Sequence, residues 1–203
     1  MQATGGATLS TRDDTADSAG VKEAPDTPRR TLRFVWVYVA VAVVSLAADI
    51  VSKVVVVAQM SPGDSVTVIP GTLYFLLTRN SGAAFNLADD YTPVLTCLAT
   101  AVVIGLSWYA FRNLGSRPWA IGLGMIAGGA AGNLVDRLFR EPGFMHGHVV
   151  DFVSVFDPYG QGFPVFNVAD SSLVLGVGLV ILLELTGRRI DGQRVTGGSR
   201  SDS

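Results

Sequence analysis

The chain has 203 residues, of which 49% are hydrophobic and only 16% charged, and its mean hydropathy is +0.41. That balance departs from a soluble globular domain and points to lipid as the solvent. A formal net charge of −2 with no continuous basic patch offers nothing for nucleic acid to bind. A single cysteine, Cys97, excludes an internal disulfide and a four-cysteine metal site.

In chain order, residues 1–30 are polar, lack an apolar targeting segment and are expected to form a disordered tail. Four apolar stretches follow, at about 34–58, 94–111, 119–139 and 165–185. Each is near the ~20 residues that a helix needs to cross the hydrocarbon core. The connection at 59–93 contains "VTVIPGTLYFLLTRNSGAAFN", whose β-branched and aromatic runs on either side of Pro70-Gly71 predict a small hairpin or strand pair on the membrane surface. The connection at 140–164 is the other long one, and residues 188–203 read as a second tail. Five basic residues precede the first span, two (Arg112, Arg117) lie in the short second connection and four follow the last span. The positive-inside rule therefore puts both termini and the second connection in the cytoplasm.

Ionisable residues inside the spans are expensive and become functional candidates by default. At ~1.5 Å per residue, Asp49, Asp136 and Asp170 all lie ~22–27 Å from the inner boundary, which makes one polar layer near the outer edge of the core. Helical spacing pairs Asp49 with Lys53 and Asn133 with Arg137 at i and i+4, and Asn167 with Asp170 at i and i+3. One reading of these pairs is interhelical glue, with "AGGAAGN" letting the third helix approach its neighbours closely. For Asp170 a purely structural reading also stands, with Asn167 as N-cap and Asp170 in the first turn.

A second carboxylate shifts that balance. In "HVVDFVSVF" (148–156), Asp151 sits among Val149, Val150, Phe152 and Val153, where it needs a partner. The intervening "DPYGQGFP" allows the chain to turn back and bring Asp151 to Asp170. Two carboxylates close together in a dry site share one proton near neutral pH and so supply an acid and a base against an amide, as in aspartic proteases. Other chemistries fit less well: Ser171 and Ser172 lack a nucleophile-elbow sequence, and His146 and His148 in a Gly-rich loop are a weak metal pair.

The segments "TRNSGAAFN" (78–86), "GNLVDR" (132–137), "VVDF" (149–152) and "FNVAD" (166–170), together with Asp49 and Lys53 in the first span, closely resemble bacterial lipoprotein signal peptidase, also called signal peptidase II. The resemblance covers residues 34–187. It implies an α-helical integral membrane protein: a four-transmembrane-helix bundle with a small antiparallel β-cradle on the extracytoplasmic face of the bacterial cytoplasmic membrane, its active site near the outer surface. It further implies an aspartic endopeptidase that removes the signal peptide of diacylglyceryl-modified prolipoproteins just before the lipidated cysteine. The catalytic pair would be Asp151 and Asp170, the substrate contacts Asn80, Gly82, Asn133, Arg137 and Asn167, and the polar support Asp49, Lys53 and Asp136. No metal, nucleotide or other cofactor is implied. The expected partners are the prolipoprotein and membrane lipid, met by a monomer that binds no nucleic acid. A proton- or cation-coupled transporter is the competing reading of intramembrane Asp and Lys, but transport sites lie near the midplane between repeated halves, and no repeat stands out here. A noncatalytic lipid-binding scaffold is the third possibility, and it would tolerate Asp151→Asn.

Overall fold

The computed structural model describes residues 32–82 and 92–194. Helix α1 runs Leu32–Gln59, α2 Thr92–Asn113, α3 Arg117–Phe139 and α4 Val168–Leu185; strands β1 (Ser65–Ile69) and β2 (Leu73–Asn80) follow α1, and β3 (Val149–Val155) follows α3. All four helices are long and apolar enough to cross a membrane. The last is expected from 165 but starts at Val168, because Asn167 adopts an extended backbone and caps it. The expected tail at 1–30 lies outside the described residues.

Helix α3 is the centre of the bundle: 56% of its most apolar window is buried, against 11–22% for the others. Its glycines make this possible. A Cβ on Gly124 would stand 2.8 Å from the Tyr38 carbonyl oxygen of α1, and one on Gly129 would stand 2.5 Å from the Ala169 carbonyl oxygen of α4. Small residues thus let two neighbours pack at backbone distance on different faces of one helix. The outward faces of α1, α2 and α4 remain apolar and exposed, as with Trp36, Val44, Leu98, Ile104, Val174 and Leu182, which suits surfaces that meet lipid.

The sheet is antiparallel in the order β1-β2-β3. The expected strand pair is therefore joined by a third strand from the other long connection, and this strand carries Asp151. Its pairing sets Thr78 opposite Asp151 and Asn80 opposite Val149, so Asn80 is the diagonal neighbour of Asp151. Beyond β3 the chain turns through Phe156, at φ 68°, and Gly160, at φ 71°. It returns so that Phe166 exchanges hydrogen bonds with Val153 (N to O 3.0 Å, and 2.7 Å in the opposite sense). This bridge delivers Asn167 and the start of α4 beside Asp151.

Two apolar clusters frame the result. One, around Tyr38, Leu114, Trp119, Leu123 and Leu183, fills the arginine-rich end of the bundle. The other, around Val56, Leu77, Val150 and Phe152, lies under the sheet. The polar layer of buried Asp49, Lys53, Asp136 and Asn167 sits between them. At the arginine-rich end, residues 188–194 form no loose tail: Arg188 bridges Arg194, Trp119 Nε1 donates to the Arg188 carbonyl at 2.8 Å and Gly115 N to the Ile190 carbonyl at 2.9 Å.

Candidate active site

The N-terminus of α4 has free backbone donors that must be satisfied in a buried setting. Asn167 and Asp170 do this reciprocally: Asp170 N donates to Asn167 Oδ1 at 2.9 Å, and Asn167 N donates to Asp170 Oδ2 at 3.1 Å. The pair is a capping box. Asp49 on α1 accepts a third of these donors, Ala169 N, at 2.9 Å. The structural reading of Asp170 therefore holds, and it does not exclude a chemical one.

Asn167 joins the two carboxylates, its backbone N–H on Asp170 and its side chain on Asp151. Its Nδ2 donates to Asp151 Oδ1 at 2.7 Å, with further contacts to Asn133 Oδ1 at 3.0 Å and the Val150 carbonyl at 3.2 Å. Asn133 Nδ2 in turn donates to Asp170 Oδ1 at 2.8 Å. On the other side Asn80 Nδ2 donates to Asp151 Oδ2 at 3.0 Å. Its carboxamide is held by Gly82, whose N–H donates to Asn80 Oδ1 at 2.7 Å. Gly82 has φ 93°, and a Cβ there would stand 2.5 Å from Leu95 Cδ1, so no larger residue fits without displacement.

These contacts show what surrounds three of the residues for which the resemblance implies a substrate contact. Asn167 is fully buried, and its amide, like that of Asn133, is already occupied by other side chains and backbone. Gly82 orients Asn80. Each is linked by hydrogen bonds to one of the aspartates, Gly82 through Asn80. Arg137 is different: its Nε is buried without a hydrogen-bond partner among the described residues, while its charge interacts with both Asp151 and Asp170.

Beneath the pair, Lys53 Nζ lies 2.7 Å from Asp49 Oδ2, 2.8 Å from Asp136 Oδ2 and 3.0 Å from Asn133 Oδ1. The Asp49 contact is an ion contact off the line of a hydrogen bond. Asp136 also pairs with Arg140 and accepts from Val150 N at 3.2 Å, which ties α3 to β3. Ser171 Oγ bonds back to the Asn167 carbonyl at 3.0 Å, as an early helix residue does. Among the described residues no three His, Cys, Asp or Glu side chains gather in a metal-holding group.

Asp151 is 3% exposed. Burial pushes its carboxyl up to about 6; the charge of Asp170 acts in the same sense, and the bonds from Asn80 and Asn167 oppose both. Two cavities open on the pair. An apolar trough of ≈ 510 Å³, lined by Phe163, Pro164, Phe166, Val174 and Leu175, reaches Asp170 and Ser171. A more polar cleft of ≈ 360 Å³, lined by Thr78, Arg79, Asn80, Ser81, Pro164 and Val165, reaches Asp151.

Two carboxylates bonded to one asparagine, at one end of a bundle of four apolar helices, form a candidate site of the aspartic-hydrolase class. Comparison with known proteins narrows the class. A family model described as "Signal peptidase (SPase) II" matches residues 41–186, and the chain belongs to that family. A protein called "Lipoprotein signal peptidase" from Mycobacterium tuberculosis (strain ATCC 25618 / H37Rv) is 51% identical over 188 residues, covering 93% of this chain and 88% of its own. One of the same name from Rhodococcus jostii (strain RHA1) is 47% identical over 184 residues, covering 90% and 87%. A solved structure described as a bacterial membrane enzyme superposes with a TM-score of 0.65 at 31% identity, covering 75% of this chain and 94% of its own. The chain is thus a multi-pass membrane protein and an aspartic peptidase.

Proposed function

We propose that this peptidase removes the signal peptide of prolipoproteins with Asp151 and Asp170 as its acid and base. The observation that carries the reading is the shared Asn167, bonded through its side chain to Asp151 and through its backbone to Asp170. Asp170 stands in the first turn of α4, where the helix dipole favours a negative charge. It is the member that activates water. Asp151, dehydrated and held high, gives its proton to the scissile carbonyl oxygen as Asp170 takes one from the attacking water; when the tetrahedral intermediate collapses, Asp170 passes that proton to the leaving nitrogen as the C–N bond breaks, and Asp151 recovers one from the intermediate's hydroxyl, which restores the pair. Family membership favours this reading over the transporter.

The two cavities suit a substrate that is both lipid and peptide. The acyl chains of a diacylglyceryl-modified cysteine fit the apolar trough, and the extended peptide fits the polar cleft beside Asn80. Arg137, whose Nε has no hydrogen-bond partner among the described residues and whose charge interacts with both aspartates, would take a substrate carbonyl or the ester. Such a substrate keeps its modified cysteine at the membrane interface, which argues for an active site at the outer layer. The ends of α1, α2, α3 and α4 that carry Arg33, Arg112, Arg117 and Arg188 lie opposite the sheet, which supports cytoplasmic termini.

Asp151→Asn and Asp170→Asn, purified one at a time into lipid vesicles, should each cut a diacylglyceryl-modified precursor about a thousandfold more slowly than wild type while remaining folded. Near wild-type cleavage by either variant sinks the dyad. Equal cleavage of precursor with and without the diacylglyceryl group sinks the assignment of the trough.

A further inference from the structure

We propose that Lys53 is a positioning residue for the reaction: its ammonium fixes the rotamer of the Asn133 carboxamide and thereby keeps a hydrogen-bond donor on Asp170. The inference rests on the dyad proposed above and concerns what holds its second carboxylate in place.

The orientation of both asparagines follows from fixed neighbours. Asn167 Oδ1 accepts from a backbone N–H, that of Asp170, so its Nδ2 must face Asp151, Val150 and Asn133. The Asn133 atom that meets this Nδ2 and the Lys53 ammonium must then be its oxygen, since nitrogen there would set donor against donor. Asn133 Nδ2 is left for Asp170 Oδ1. The two restraints are unequal. Asn167 Nδ2 has two hydrogens for three acceptors, and Asp151 at 2.7 Å takes one of them. The other is divided between Asn133 Oδ1 and the Val150 carbonyl. Lys53 instead commits a full positive charge to Asn133 Oδ1 at 3.0 Å. Asp49 and Asp136 hold that ammonium in place at 2.7 and 2.8 Å, and its side chain is fully buried. A charge at this depth needs more reason than packing, because removing either sign from such a network is itself destabilising.

The charged groups around Asp170 are Asp151 on β3, Arg137 and Asp136 on α3, and Asp49 and Lys53 on α1, behind Asn133. Loss of the Asn133 donor removes the side-chain hydrogen bond that holds Asp170 Oδ1.

Lys53→Met alone would strand two buried acids, so the test uses the charge-balanced variant Asp49→Asn/Lys53→Met, full length and in lipid vesicles, with and without Asn133→Leu. In the wild-type background we expect kcat to fall about tenfold while KM stays within about twofold. In the Asn133→Leu background the same pair of changes should leave kcat within about twofold, because the path from Lys53 to Asp170 is already cut. Equal losses in both backgrounds, or a loss of folded protein with unchanged kcat per folded enzyme, overturn the proposal. If the variant does not fold, solid-state NMR on the wild-type enzyme decides the matter. Asn133 Nδ2 nearer the Asp170 carboxyl carbon than the Lys53 nitrogen supports it, and the reverse overturns it. Failure of the dyad itself would show separately, as an active Asp170→Asn variant.

Discussion

Asp151 holds its proton to about pH 6 because it is buried beside another acid, whereas the same carboxyl in an unfolded chain loses it near 3.8. Between those two values the folded protein binds a proton that the unfolded chain has released. Stability therefore falls as pH rises through that window and levels off above about 6. Thermal unfolding across pH 4 to 7 should show this slope in the wild type, amounting to about 3 kcal/mol, and Asp151→Asn should flatten it. A slope unchanged by that substitution would remove Asp151 as its source. The same proton gives kcat/KM an alkaline limb near pH 6, measured on the free enzyme. At this scale the sequence is informative where partners are local. The i and i+4 spacing of Asp49 and Lys53 is visible in the string, and the two meet at 2.7 Å. Their tie to Asp136 at 2.8 Å crosses between helices, and no spacing rule reveals it. The same holds for the bond from Asn133 to Asp170, which no spacing in the string announces.

Among the elements, the contact between α3 and α4 sets how closely the start of α4 is held. A Cβ on Gly132 would stand 2.5 Å from Asp49 Oδ2 and 3.2 Å from Ala169 Cβ, so it would push on α1 and α4 together. Gly132→Ala should destabilise the fold by about 1–3 kcal/mol and lower activity by separating Asp49 from Ala169 N. Gly178→Ala, where a Cβ meets nothing within 4 Å, is the matched control. Equal unfolding temperatures for the two variants would show that the close approach does not constrain the bundle. The helices are legible from composition alone, to within three residues at each end, because a run of about twenty apolar residues has few alternatives. Strand β3 is harder. Val149, Val150, Asp151 and Phe152 are all buried, and without an alternation of exposed and covered positions a strand looks like any short apolar run. The turn at 188–194 is likewise hidden, since its order comes from backbone bonds to Trp119 and Gly115 that a polar composition does not report.

At the scale of the molecule, the polar layer, the sheet and the apolar trough all belong to the end of the bundle away from most of the arginines. The trough is bounded on one side by Val174 and Leu175, which α4 otherwise exposes at 72% and 63%. A cavity walled by the outward face of a spanning helix is open sideways, to the acyl chains around the protein. The solvent from which such an enzyme takes its substrate is thus a two-dimensional fluid, and bulk molarity is the wrong unit for its saturation. At constant substrate per lipid, a tenfold dilution of vesicles in buffer should leave turnover per enzyme unchanged. Adding inert lipid to the same bilayers, with substrate and enzyme amounts held fixed, should slow it in proportion. A rate that instead follows the volume of the aqueous phase would mean that the trough is filled from water.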